Sequence, residues 1–200
     1  MSGKVAFVDT LRNAYDHLPA DKKEEFKENM KKTLEKFCSQ DLEAKVDRWL
    51  EPPSIGVIDV TNANFTTMLQ ESITCYVLEF YYSTISICGI TAERLCMDIL
   101  LRCKLAINGK TLSSDELESF LAIPYSLMIE LLYSWGIIDR DVRDRLHKIK
   151  DIRNRYVHPD VLPEPNQLKK DSLEILTLLK YVLSQSFTRN PSMPPVQREL

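Results

Sequence analysis

Between residues 139 and 158 apolar and polar positions follow the period of an α-helix. Val142, Leu146, Ile149, Ile152 and Tyr156 recur at steps of three and four and make one apolar stripe. Asp139 stands at the N-cap position and Gly136 where a preceding helix would stop. At about 100° per residue, Arg153 falls inside the stripe, among residues that should face a core, and Asn154 lies roughly a quarter-turn away. His158 follows Asn154 by four residues, about one turn. Pro159 disfavours α geometry for His158, so the imidazole is expected where the helix ends. An inward arginine beside an amide and a freed histidine is the constellation around which the rest of the chain is read.

The remaining pattern is also helical. Lys4 to His17 carries Val5, Val8, Leu11, Arg12 and Tyr15 at amphipathic spacing. Pro19 suits the first turn of a charged helix from Ala20 to Cys38, with Phe26, Met30, Leu34 and Phe37 as a narrow stripe. Asp41 to Leu50 predicts another helix with Leu42, Val46, Trp49 and Leu50 inward, closed by Glu51-Pro52-Pro53. Ser54 to Asn64 reads as a linker with one extended stretch, Gly56 to Val60. Asn64 to Cys103 predicts two helices, or one broken near Phe80 to Thr84, where aromatic and β-branched residues lose helix propensity. In its second half Ile85, Cys88, Gly89, Ala92, Cys96, Ile99, Leu100 and Cys103 form an apolar arc, whose small members permit a close helix neighbour. Glu93 borders that arc. A carboxylate there is costly unless paired; Arg153 is its natural partner, and a surface glutamate is the other reading.

Asn108-Gly109 marks a turn. Ser113 to Glu116 reads as a capping box opening a short helix through Leu121. Pro124 starts the next helix, with Leu127, Met128, Leu131, Leu132 and Trp135 inward. Pro159, Pro163 and Pro165 force an extended connection, after which Asn166 or Asp171 opens a last helix bearing Leu168, Leu173, Leu176, Leu179, Val182 and Leu183. The pattern predicts an all-α, up-and-down helical bundle without a sheet of three or more strands. Its organisation is expected to be an N-terminal helical appendage and linker (1–60), the bundle (61–187) and a disordered tail (188–200).

Composition narrows the function. A net charge of −3 over 200 residues argues against a protein that binds nucleic acid with its whole surface. Charge is locally reversed: from Arg140 to His158 seven Lys or Arg face three Asp. Such a strip suits phosphate, and a solvated helix face is the plainer alternative. The five cysteines (38, 75, 88, 96, 103) contain no CxxC pair and do not cluster with His17, His147 or His158. That argues against zinc or a disulfide scaffold and for a reducing, cytoplasmic setting. No apolar run reaches transmembrane length, so no membrane partner is expected. The zinc-protease H-E-x-x-H, the phosphate-binding loops and the G-x-S-x-G elbow are missing, and no cofactor is expected.

The block R-N-R-Y-V-H, Arg153 to His158, resembles the signature of the HEPN superfamily, small helical bundles of which many are metal-independent ribonucleases. Tyr81 to Leu101 resembles that family's earlier core helix. Gly136 to Asn154 resembles the helix leading into its motif, especially in the branch associated with restriction and defence systems. The resemblance covers about Phe65 to Ser186. It implies a homodimer that brings two motifs into one cleft and cleaves RNA by attack of the 2′-hydroxyl, leaving a 2′,3′-cyclic phosphate. Arg153, Asn154 and His158 would be catalytic, with Glu93, Arg155 and His147 in support. It further implies a toxin or antiviral defence role, with an antitoxin or defence-system partner. Some relatives carry a modified tyrosine two residues beyond the histidine; Asp160 occupies that position here and speaks against that regulation. The chemistry fits these residue types. Imidazole titrates near neutrality and can act as base or acid, and guanidinium stays charged and grips phosphate through a rigid fork. If Arg153 and Glu93 pair inside the core, removing the arginine should cost about 3–5 kcal/mol. Two other readings stand beside this one: a catalytically silent module binding a protein partner or nucleotide, and a helical scaffold in which Arg153 and Glu93 are a structural ion pair.

Overall fold

Among the described residues, helical periodicity becomes seven helices. The structure, a computed structural model, describes residues 18–53, 63–107, 110–111, 113, 123–157, 164–188 and 197–199. The helix expected in residues 4–17, the extended stretch 56–60, the capping-box helix to 121 and the proline-rich connection at 158–163 lie outside these. The chain forms two compact units, Met1–Ala44 and Lys45–Leu200. In the first, Pro19 precedes helix α1 (Ala20–Ser39), a mostly exposed helix that half-buries Phe26 and Met30.

The second unit begins at Lys45, within helix α2 (Leu42–Leu50), not at residue 61. The reason is hydrogen bonding across this segment. Arg48 donates through Nε to the Val77 carbonyl at 2.9 Å, Tyr76 donates its hydroxyl to Glu51 at 2.7 Å, and Lys180 donates to the Pro53 carbonyl at 3.0 Å. The predicted inward face of α2 is a correction: Leu42, Val46, Trp49 and Leu50 are 46–75% exposed. Amphipathic spacing shows that an apolar face exists and says nothing about whether anything covers it.

Helix α3 (Ala63–Val77) and helix α4 (Tyr81–Arg102) are separated just ahead of the expected break. Glu79 takes a left-handed φ of 64°, and the amides of Glu79 and Phe80 turn back to the carbonyls of Tyr76 and Cys75. This is a Schellman closure, normally the work of glycine. Here Arg48 offsets the strain of a non-glycine residue by pairing with Glu79 at 2.9 Å. The same closure recurs with Gly136 (φ 67°) after helix α5 (Tyr125–Ser134), where the sequence placed the stop. The buried face of α5 is turned from the expected one. Tyr125, Met128, Ile129 and Leu132 face the core, while Leu127 is 46% exposed.

Helix α6 (Arg140–Val157) buries the five stripe residues, and Asp139 accepts the Val142 amide at 2.9 Å as its cap. Helix α7 (Pro165–Thr188) buries Ile175, Leu176, Leu179, Val182 and Leu183. Helix α4 is central: it packs against α3, α5, α6 and α7, while α6 also meets α5 and α7. Side chains of this kind each contribute roughly 1.5–3 kcal/mol on burial, so the all-α bundle follows from the stripes meeting.

A small ribbon is added to it. Strand β1 (Lys104–Ile107) pairs antiparallel with β2 (Lys110–Thr111), Ile107 opposite Lys110, and the turn expected at Asn108-Gly109 lies outside the described residues. Strand β3 (Gln197–Glu199), from the segment expected to be disordered, joins β1 in parallel, giving the order β2-β1-β3. The sequence predicted a turn there and no three-stranded sheet. Strands this short carry too little alternation to be read, and pairing between residues 104 and 197 is a long-range backbone event.

Candidate functional site

The last two turns of α6 carry the site. Arg153 sits at the edge of the stripe rather than inside the core: its side chain is 28% exposed, and Nη1 lies 3.5 Å from Oε2 of Glu93, itself 35% exposed. The expected pairing of the two is present in half-buried form. Its location depends on Gly89. A Cβ placed there would stand 2.7 Å from Arg153 Cδ, 2.8 Å from Cγ and 3.0 Å from Cβ. The arginine stem therefore lies across the bare backbone of α4, and its head reaches the carboxylate one turn on. Gly89→Ala gains about 0.5–1 kcal/mol of helix propensity. The clash, with the base of a packed side chain rather than a mobile tip, costs about 1–3 kcal/mol and should win. A lower melting temperature and loss of any activity that needs Arg153 are the expected outcomes, checked by thermal melts and an activity assay.

Asn154 is exposed one residue on. His158, the motif's imidazole, lies outside the described residues, so its relation to Arg153 rests on sequence alone. Arg155 points the other way, to α7, where its Nη1 donates to Asp171 Oδ2 at 2.6 Å. Asp171 is buried, with 3% of its side chain exposed, and also accepts the Tyr156 hydroxyl and the Gln167 amide, each at 2.6 Å. Burial and this carboxylate push the Tyr156 phenol above its ordinary range. Tyr82 of α4 meets the Tyr156 ring edge-on at 5.9 Å. The Asp171 cluster was missed in the sequence, where Asp171 read only as a possible helix start.

His147 does not join Arg153. Its Nε2 lies 2.6 Å from Oε1 of Glu130 on α5, and Arg143 donates to both oxygens of the same carboxylate at 3.0 and 3.1 Å while stacking over Tyr133. Hydrogen bonds from Arg143 and then His147 hold the Glu130 carboxyl below its usual range. A depressed carboxyl contributes stability that is complete above its unfolded pKa, about 4.3, and is lost as pH falls through the lower folded value. Glu130→Gln should therefore lower stability across the neutral range, where the carboxylate contributes in full, and converge on the wild type at acid pH, flattening the acid limb below about pH 4.5; melting temperatures across pH 3–7 check it.

The cationic strip takes a different form from the one its charge suggested. Arg140, Arg145 and Lys150 pair along the helix with Asp144, Asp141 and Asp151 at 3.8, 3.2 and 3.4 Å. Arg143, Lys148, Arg153 and Arg155 pair with Glu130, Glu174, Glu93 and Asp171 of neighbouring helices. Much of the excess positive charge is thus spent on fixing α6 to α4, α5 and α7. Of the four pairs that tie α6 to its neighbours, Arg153–Glu93 is the longest at 3.5 Å, which leaves its guanidinium the most readily transferred to an anion.

Cys88, Cys96 and Cys103 are buried and Cys75 half-buried, all as free thiols. Burial raises the Cys88 thiol to about 12 and Cys96 higher still, so neither serves as a nucleophile. Among the described residues no three His, Cys, Asp or Glu side chains stand close enough together to hold a metal ion. No helix of the described residues is long and apolar enough to cross a membrane. Compared with known proteins, the chain matches no family model, no curated sequence and no solved structure.

Proposed function

We propose that the protein is a metal-independent endoribonuclease of the HEPN type, acting in the cytoplasm in a toxin or antiviral defence role. The observation that carries the reading is the half-exposed guanidinium of Arg153, seated across Gly89 and loosely paired with Glu93, next to exposed Asn154 at the end of α6. In this reading Arg153 grips the scissile phosphate and stabilises the charge of the phosphorane. Asn154 orients the phosphodiester, and His158 moves the proton of the attacking 2′-hydroxyl or of the leaving 5′-oxygen. Attack forms the 2′-O–P bond and breaks the P–O5′ bond, leaving a 2′,3′-cyclic phosphate. One motif supplies one imidazole, and a two-fold homodimer with facing motifs supplies both base and acid.

A second reading is favoured by the paired strip on α6. A module whose cations are engaged by its own carboxylates has little charge left for RNA, and would bind a protein partner or nucleotide without cleaving. Incubation of the purified full chain with mixed RNA in EDTA separates the two. Fragments ending in 2′,3′-cyclic phosphate are expected from the endoribonuclease. Intact RNA, or cleavage only with added divalent metal, rejects it in favour of the silent module. An antitoxin or defence partner would co-purify with either.

A further inference from the structure

Tyr82 stands in the first turn of α4 and is 43% exposed. A ring this open to water forfeits much of the gain that burial would bring, yet it is not loose. It meets the ring of buried Tyr156 edge-on, with centroids 5.9 Å apart and planes at 83°. A T-shaped contact takes up at most one face of either ring, and Tyr82 keeps a flat apolar surface toward solvent. Tyr156 in turn is fixed by its hydrogen bond to Asp171. The exposed ring is therefore steadied by the buried clamp between α6 and α7.

The position of this ring is what gives it a use. Gly89 lies two turns further along α4, so Tyr82 and the seat of the Arg153 stem share one helix face, about 10 Å apart along the axis. Ser86 stands between them, one turn from each, with a short side chain. The contacts Tyr82–Tyr156 and Gly89–Arg153 run in opposite directions along α4 and α6, so both belong to one antiparallel seam. The end of that seam presents a steadied aromatic ring, a guanidinium loosely held by Glu93, and the exposed amide of Asn154. Other exposed aromatics are placed elsewhere: Trp49 on α2, Phe80 ahead of α4, and Tyr133 under the Arg143 guanidinium.

A guanidinium and an open aromatic ring set apart in this way match two parts of one ligand, a phosphate and the base of an adjoining nucleotide. In a duplex the base faces are already stacked on one another, and only an unpaired strand can offer one. We infer that the Arg153 site takes single-stranded RNA, with Tyr82 as the platform on which the base beside the gripped phosphate stacks. Stacking uses the π-face that every base has, so the platform selects unpaired over paired strands and discriminates little among sequences. Because Tyr156 already steadies the ring, little side-chain freedom is lost when a base arrives. The inference rests on the proposed use of Arg153 for RNA phosphate, and adds to it the form of the substrate and the residue that selects it.

Binding to the full chain is measured with a 2′-O-methyl RNA oligonucleotide, which 2′-hydroxyl attack cannot cleave, and with an abasic strand of the same length. Tyr82→Leu, which keeps apolar bulk against Tyr156, should weaken binding of the first by about 5- to 100-fold, the worth of one stacked base, and leave the second unchanged. Tyr82→Phe should bind both as the wild type does. The oligonucleotide annealed to its complement should bind the wild type more weakly than the single strand, and Tyr82→Leu should remove that preference. Should Tyr82→Leu not fold, Tyr82→Trp replaces it: the oligonucleotide should quench the added indole beyond any change of Trp49 and Trp135 in the wild type. Unchanged affinity in Tyr82→Leu, an equal loss on the abasic strand, or an unquenched indole overturns the inference. If Arg153→Met, which keeps the stem over Gly89, abolishes binding while Tyr82→Leu does not weaken it, the phosphate reading stands and the platform falls. If the wild type binds no RNA, both fall.

Discussion

Arg153→Ala and His158→Ala should each lower EDTA-resistant RNA cleavage by at least about 10²–10⁴-fold, the usual worth of a positioned acid–base group. Losing the charge that meets the phosphorane should cost a comparable factor, on the order of 10²–10³. The two variants should differ in stability. A fully buried pair broken on one side costs about 3–5 kcal/mol, but Arg153 and Glu93 are 28% and 35% exposed and 3.5 Å apart. Water screens the stranded carboxylate, so roughly 1–2 kcal/mol is expected, part of it from the stem packing lost over Gly89. His158→Ala, at a helix end before a proline, should cost under about 1 kcal/mol. Cleavage assays on both variants, with melting curves alongside, check this. Full cleavage by His158→Ala would end the ribonuclease mechanism, and equal melting temperatures would show that Arg153 contributes nothing through Glu93.

The largest loss of stability should come from Asp171. It is 3% exposed, carries a formal charge, and accepts from Arg155, Tyr156 and Gln167, all at 2.6 Å. Asp171→Ala strands the Tyr156 hydroxyl in the core and frees Arg155, removing the polar clamp between the end of α6 and the start of α7. A cost of about 3–5 kcal/mol is expected, or a fall in melting temperature on the order of 10 °C. Tyr156→Phe removes a single donor and should cost about 1–2 kcal/mol, close to the value of one hydrogen bond to a charged group. The motif residues Arg153 and Asn154 share that turn of α6, so Asp171→Ala should also reduce RNA cleavage at temperatures where it remains folded. A melting temperature within 2 °C of wild type would mean that α7 does not fix the motif helix.

Much of the bundle was legible in the sequence because its signals are local. The stripe from Val142 to Tyr156, the Asp139 cap, the Gly136 stop and the arc from Ile85 to Cys103 each express the 3.6-residue period or a single backbone demand, and each recurs in the structure. Even the Arg153–Glu93 pair could be anticipated, since a carboxylate and a guanidinium beside two apolar stripes have few other places to go.

What the tertiary structure decided is who meets whom, and how far from water. The face of α2 reads as inward, yet nothing in residues 42–50 encodes whether another element covers it, and the four apolar side chains are exposed. Leu127 and Ile129 are both apolar, and only the pose of α5 selects which is buried. Glu79 closes α3 in place of glycine because Arg48, distant in sequence, holds it. Seven cations on α6 read as a phosphate-binding strip until helices α4, α5 and α7 bring their carboxylates against four of them. The chain itself determined periodicity, caps and residue chemistry, because those depend on neighbours within one turn. Burial and charge pairing depend on packing between helices far apart in the chain, where desolvation and distance set the energy.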